Sequence, residues 1–289
     1  MELLAHNTLP DRLVALFRNA RRDILIASPF VSTTAVNRTL DQFTPAFEST
    51  GRLTFLTDLS PRNVYQQATD PAALLKLSDR VPRTSIVHLP SLHAKVYLVD
   101  DSAAIITSAN LTAGGLYRNY EYGVHVSEPN LVVQIRQDLD GYKELGATLD
   151  RQVLGDYCRV SNEVRKLYAR KLAAASNRIA IQFEQKLQAA EDELIRLRLA
   201  GGAMHTVFGR TVRYLLKKHG PLSTKALHPM ISAIHPDLCN DAVDRVIDGK
   251  SFGKKWKHAV RTAQQKLKKD GIIEFDGHHW RICGDVKTQ

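Results

Sequence analysis

Apolar positions in the first half of the chain alternate between helical and strand-like patterns. Between residues 10 and 22, Leu13, Leu16, Phe17 and Ala20 recur at steps of three and four, with Asp11 near the start, which predicts a helix. The run DILIASPFVS follows, rich in β-branched residues, and predicts a buried strand opening into a loop at Ser28-Pro29. Residues 52–60 and 85–90 predict two more buried strands, and residues 70–80 between them a short helix with proline in its first turn. Residues 93–100 and 103–110 read as a hairpin around Asp100-Asp101-Ser102. A strand at 120–127 and a helix at 129–143 complete an α/β pattern: a mixed sheet flanked by helices.

The pattern then changes. Residues 161–200 contain neither glycine nor proline, and Val164, Tyr168, Leu172, Ala175, Ile179, Phe183, Leu187, Ala190, Leu194 and Leu197 follow one another at steps of three or four. This predicts one long amphipathic helix, or two stacked end to end, stopped by Gly201-Gly202. It serves either as a coiled coil pairing two copies, the reading preferred here, or as a helix lying across its own domain. Beyond it, helices are expected at 205–218, 223–234, 241–249 and 255–270, then a strand at 272–275, a turn at Asp276-Gly277 and a strand at 278–282. The expected division is 1–150, an α/β domain; 151–202, a helical linker or coiled coil; and 203–289, a small, mostly helical domain.

Composition narrows the class. With 44% hydrophobic residues in 289, the chain can bury a core, and no apolar run approaches the roughly 20 residues a membrane span needs. The N-terminal residues lack a secretion signal, and Cys158, Cys239 and Cys283 are too few and too scattered for a disulfide framework or a cysteine-rich zinc module. A reducing, cytoplasmic setting is expected. The charge is lopsided: residues 1–150 hold 14 basic and 16 acidic side chains, whereas residues 151–289 hold 26 and 14. A near-neutral half joined to a strongly basic one suggests a catalytic or scaffold domain attached to a binder of polyanions, although charge alone also fits a basic protein without a nucleic-acid partner.

The chemistry concentrates in His93-Ala94-Lys95, Asp100, Ser108-Ala109-Asn110 and Glu121. Residues two apart on a strand share a face, so His93 and Lys95 are expected to project together from one strand, and Ser108 and Asn110 from the next. One imidazole, one cation and two polar groups suit a phosphodiester: the cation and amide hold non-bridging oxygens while the imidazole attacks phosphorus. His125 is expected as a core or rim histidine, and His278-His279 as strand residues without metal-ligand spacing. Gly114-Gly115 are expected either to approach a phosphate or to sit in a flexible loop.

HAKVYLVD, SAN and the glutamate of NYEYG together resemble the phospholipase D superfamily, whose signature is H-x-K-x4-D, then S-x-N and a downstream Glu; the resemblance covers roughly residues 5–145. It implies His93 as the nucleophile forming a phosphohistidine, Lys95 and Asn110 as ligands of the phosphoryl oxygens assisted by Ser108, and Glu121 as support for an active-site imidazole. Asp100 is expected to be structural. The resemblance also implies no metal and no cofactor. It calls for a second histidine to protonate the leaving oxygen, yet the chain has a single H-x-K, so the second is expected from another copy in a homodimer.

Residues 203–283 resemble the winged-helix modules found beside nuclease domains in bacterial restriction proteins, on the pattern R-x-A-x-x-x-L-K-K-x-G-x-I followed by W-R-I. Ala259, Ala263 and Leu267 form the expected apolar stripe of its last helix. Lys254, Lys255, Lys257, His258, Arg261, Lys266, Lys268 and Lys269 are the expected DNA contacts. The combined expectation is a homodimeric, metal-independent endonuclease acting on double-stranded DNA in restriction or phage defence, with other defence proteins as possible further partners and no membrane. The alternatives are an RNA nuclease, a lipid phosphodiesterase or phosphatidyltransferase, and a DNA-binding protein without activity.

Overall fold

The computed structural model describes residues 1–173, 177–199, 203–247 and 250–284. The chain divides into two compact units, residues 1–198 and 199–289.

The first unit runs β1 (Glu2–Ala5), α1 (Leu9–Arg18), β2 (Asp23–Ala27), α2 (Thr33–Leu40), α3 (Pro45–Thr50), β3 (Arg52–Thr57), α4 (Pro61–Tyr65), α5 (Pro71–Arg80) and β4 (Arg83–His88). It continues with β5 (Val96–Val99), β6 (Ala103–Thr107), α6 (Ala113–Tyr117), β7 (Tyr122–Val126), α7 (Pro129–Leu145), β8 (Ala147–Leu149), α8 (Arg151–Ala173) and α9 (Asn177–Arg198). The strands form one mixed, eight-stranded sheet in the order β1-β7-β6-β5-β2-β3-β4-β8, parallel at β2-β3-β4 and antiparallel elsewhere. β2, β3 and β5 are hidden on both faces, with Ile24, Leu25, Ile26, Leu53, Phe55, Tyr97 and Leu98 buried, which is why they read as continuous apolar runs.

The β5–β6 hairpin turns at Asp100 and Asp101, both left-handed with φ of 53° and 54°, a conformation aspartate tolerates in tight turns. The Asp100 carboxylate accepts from the backbone N–H groups of Arg21, Arg22 and Asp23 at 2.6, 2.7 and 2.7 Å, tying this turn to the start of β2. It thus lies at the end of β5 opposite Lys95.

Of the arrangements expected for residues 161–200, two helices form, α8 and α9, and they pack against each other within the first unit rather than end to end. Tyr65, Tyr168 and Phe183 form a three-ring cluster with centroids 4.6–5.4 Å apart, and Val164 and Ala190 are buried beside it. Tyr157 donates its hydroxyl proton to the Leu59 carbonyl, and Leu154 and Leu194 enter the main core. The apolar stripe is therefore largely consumed inside the unit, which removes the main physical reason for a coiled coil between copies. Periodicity specifies a helical face but not the point at which the helix folds back. The Gly201-Gly202 stop lies outside the described residues.

The second unit comprises α10 (Met204–His219), α11 (Thr224–Ile234), β9 (Asp244–Ile247), β10 (Lys250–Lys254), α12 (Lys255–Lys269), β11 (Ile273–Phe275) and β12 (Trp280–Ile282). Phe208, Val212, Leu216, Leu227, Ile231 and Val260 form its interior. The helix expected at 241–249 is replaced by the antiparallel β9–β10 hairpin. Val243, Val246 and Ile247 fit helical spacing, but β-branched residues before an Asp-Gly pair favour a hairpin equally well. The buried stripe of α12 is centred on Trp256, Val260, Ala263 and Gln264, with Ala259 and Leu267 at its margins. His278 and His279 belong to a turn before β12, both backbone N–H groups donating to Asp276. Among the described residues, no helix is long and apolar enough to cross a membrane.

Candidate active site

Antiparallel pairing assembles the site. Ala27 of β2 lies opposite Val96 of β5, Val96 opposite Ile106 of β6, and Ile106 opposite Val124 of β7. The residues before β5, those after β6 and the residue before β7 therefore meet at one end of the sheet, beside the loop leaving β2. His93 and Lys95 precede β5, Ser108 and Asn110 follow β6, and Glu121 precedes β7. The expectation that the pairs project from within strands is corrected: the strands stop short, and the functional side chains sit on the connecting backbone. Reactive groups need access that a fully paired, two-sided strand does not offer.

Contacts join most of these groups. Lys95 is 7% exposed, and its ammonium donates to the His93 carbonyl at 2.8 Å. Burial lowers its pKa from the ordinary lysine value, while the Glu121 carboxylate opposes that shift, so the two charges sense one another. Ser108 donates its hydroxyl proton to one oxygen of Glu121, and the other oxygen accepts from the Asn119 amide at 3.2 Å. The Ser108 hydroxyl oxygen accepts the Tyr122 backbone N–H at 3.1 Å. Asn110 Oδ1 lies 3.4 Å from the Phe30 N–H, facing the end of β2. The His93 imidazole is exposed and makes no hydrogen bond among the described residues. Within one chain, Glu121 therefore engages Ser108 and Asn119, and the expected support of an imidazole is not made there.

A layer beneath holds these residues in place, and the sequence did not single it out. The buried Tyr97 hydroxyl donates to the Ala109 carbonyl at 3.0 Å. Its pKa is raised by burial, so it remains a protonated donor. Ser28 accepts the Leu111 N–H at 2.9 Å and donates to the Phe30 carbonyl at 2.7 Å, fastening the loop after β6 to the loop after β2. Gly115 explains half of the Gly114-Gly115 pair: a Cβ there would stand 2.5 Å from the Asn110 carbonyl oxygen and 2.9 Å from its nitrogen. It therefore lets α6 approach the backbone of Asn110 and is neither a loop tip nor, from this contact, a phosphate cradle. The continuous apolar run of β5 marks Tyr97 as buried, but nothing local announces its partner twelve residues away.

His125 lies on β7, paired in register with Glu2 and with its Nδ1 3.8 Å from that carboxylate. Burial, and then the Arg12 charge, lower its pKa. Among the described residues, no group of three or more His, Cys, Asp or Glu is placed to hold a metal ion.

The expected DNA contacts are brought together on and beside α12. Lys254 ends β10 and pairs with Asp244 at 2.8 Å, Lys257 lies 3.9 Å from Asp241, and Lys266 pairs with Asp270 at 3.2 Å. Lys255, Arg261, Lys268 and Lys269 are exposed and have no acidic partner among the described residues. His258 faces the β9–β10 hairpin, bonding to the Phe252 carbonyl and to Arg245.

The lowered pKa of Lys95 has a consequence for pH. If its positive charge holds substrate oxygen, activity will decline on the alkaline side at a lower pH than an ordinary lysine would give. Restoring a permanent charge with Lys95→Arg should move that limb upward in a kcat/KM profile, at some cost in maximal rate. An alkaline limb unchanged in Lys95→Arg would assign it to another group.

Residues 13–142 match the family model described as cardiolipin synthase, PLD-like domain. No curated protein matches the chain in sequence. Among solved structures, NucT from Helicobacter pylori aligns over 50% of this chain and 96% of its own, at 16% identity and a TM-score of 0.41. Nuc from Salmonella typhimurium, described as a phospholipase D family member, aligns over 51% and 97%, at 14% identity and a TM-score of 0.43. Phosphatidylserine synthase from Haemophilus influenzae aligns over 57% of this chain and 42% of its own, at 14% identity and a TM-score of 0.41.

Proposed function

We propose that the chain is a metal-independent phosphodiesterase, an endonuclease that cleaves double-stranded DNA through a phosphohistidine on His93. The observation carrying this reading is the meeting of Lys95, Ser108, Asn110 and Glu121 at the sheet end where the exposed His93 stands. In the first step an imidazole nitrogen of His93 bonds to phosphorus, and the bond to the leaving oxygen breaks. A protonated imidazole supplies that oxygen's proton. In the second step a water oxygen bonds to phosphorus as the phosphorus–nitrogen bond to His93 breaks, and the water's proton restores the imidazole that protonated the leaving oxygen. Lys95 and Asn110 hold the non-bridging oxygens as charge builds on them, and Ser108, fixed by Glu121, assists.

The acid is His93 of a second copy, because the chain holds one H-x-K motif. A surface beside the site suits that copy. Leu3, Val124 and Ile106 lie opposite one another across β1, β7 and β6; Leu3, Ile106 and neighbouring Tyr122 are exposed. Burying this sheet face would bring two sites together about a two-fold axis. The basic unit, read as a winged helix with α12 against DNA and β11–β12 as the wing, positions the enzyme on its substrate. Restriction or phage defence is the role this combination fits.

The functional test offers EDTA-treated protein plasmid DNA, single-stranded DNA, RNA and phosphatidylcholine vesicles. Cleavage of DNA is expected; exclusive cleavage of RNA or of lipid would reassign the substrate. Assembly is tested by sedimentation at micromolar concentration, where a dimer is expected. Mixed dimers of wild-type and His93→Ala chains should lose the normal two-step reaction. A fully active monomer would mean that another residue of the same chain serves as acid.

A further inference from the structure

We propose that the β9–β10 hairpin is a DNA-contacting element in its own right, placing Phe252 against the bases in a groove of duplex DNA beside the stretch bound by α12. This rests on the DNA reading of residues 203–289, and adds a surface for bases where that reading supplied only contacts to phosphate.

The hairpin is fastened to the first turns of α12 from both of its strands. The Lys255 N–H donates to the Val243 carbonyl at 3.0 Å, and the Trp256 indole N–H to Asp241 at 2.8 Å. His258 stands between the strands and the helix. Its Nε2 donates to the Phe252 carbonyl, which can only accept, and its Nδ1 accepts from Arg245 at 3.2 Å, since a guanidinium only donates. A ribbon held this way has a fixed direction relative to the basic helix.

Its apolar side chains turn away from the interior. Val246 is 60% exposed and Phe252 50%, while Trp256, a few residues on, is buried. The register shifts between Ser251 and Lys254, and Gly253 within that irregularity adopts φ 87°, the left-handed conformation that glycine accepts without strain. Such a bulge re-aims the side chain beside it, here Phe252. A hairpin that served only to close the core would turn these groups inward.

The surrounding charge selects the partner. Residues 241–261 hold six basic side chains against three acidic ones. Asp244 is engaged by Lys254 and Ser251, whereas the Lys250 ammonium bonds nothing among the described residues. The major groove of duplex DNA admits a two-stranded ribbon, with phosphates along both rims for cations and base edges, including thymine methyl groups, on the floor for apolar contact. A protein surface would fit the exposed phenyl ring but would have to supply acids to match the cations.

The test titrates the full-length protein with a fluorescent duplex at several salt concentrations. Phe252→Ala should weaken binding by about tenfold or more with the salt slope unchanged, because it removes base contact and no charge. Phe252→Leu should recover most of that loss. Lys250→Gln should reduce the magnitude of the slope by about one. If Phe252→Ala fails to fold, the salt slope of Lys250→Gln still decides the matter. Wild-type affinity in folded Phe252→Ala, or a wild-type slope in Lys250→Gln, would overturn the proposal and turn the hairpin over to a protein partner or a second copy. A wild-type chain that does not bind duplex at all would instead remove the DNA reading of the whole unit, and this proposal with it.

Discussion

Replacing His93 with alanine should abolish turnover, by about 10³-fold or more, while leaving the fold and DNA affinity nearly unchanged. The imidazole is exposed and carries no hydrogen bond among the described residues, so its removal opens no cavity and strands no buried partner there. The cationic helix α12 belongs to the other compact unit, so binding should persist. Lys95→Ala and Asn110→Ala should cost about 10²- to 10³-fold each, by removing stabilisation of charge on the phosphoryl oxygens. Glu121→Gln should cost less, since an amide oxygen can still accept from Ser108. Lys95→Ala also empties a largely buried position, so its melting temperature must be compared with wild type before lost rate is assigned to chemistry. Purified His93→Ala with near-normal activity would remove the nucleophile assignment.

The second large effect concerns affinity. If α12 and its surroundings neutralise about six phosphates, log affinity should fall against log salt with a slope of about −5. Among the described residues Lys255, Arg261, Lys268 and Lys269 have no acidic partner to give up, so their charge is available to phosphate at no cost in broken ion pairs there. Lys254 and Lys266 must first exchange Asp244 and Asp270, and single substitutions there should matter less. Removing residues 203–289 should weaken binding strongly and leave slow, unselective cleavage. A truncated chain with undiminished affinity would show that the basic unit has another task.

How much of this was legible beforehand differs from element to element. β2, β3, β4 and the β5–β6 hairpin were readable because strands buried on both faces leave unbroken apolar runs, and because Asp100-Asp101 marks the turn. β1 and β8 were not, since three or four residues at a sheet edge carry too little pattern. α2 starts at Ser32, whose side chain accepts the Ala35 N–H, a cap masked by the preceding apolar run. Among the site residues, spacing placed His93, Lys95, Ser108, Asn110 and Glu121 in one region. It did not show that they sit just outside the strands, or that Tyr97, Ser28 and Gly115 hold the backbone of residues 109–111, because those contacts join residues that are distant in sequence. The fold-back of α8 on α9 and the β9–β10 hairpin were misread for a related reason: apolar spacing of three and four is compatible with more than one tertiary arrangement.

The phosphohistidine itself is the most direct test. Protein treated with EDTA is mixed with DNA carrying labelled phosphate, quenched in alkali, where phosphohistidine survives, and digested to peptides. The account predicts label on the peptide containing His93 in the wild type and none in His93→Ala. DNA cleavage that stops with the chelator and resumes only with added magnesium or manganese, with no label on that peptide, would contradict it.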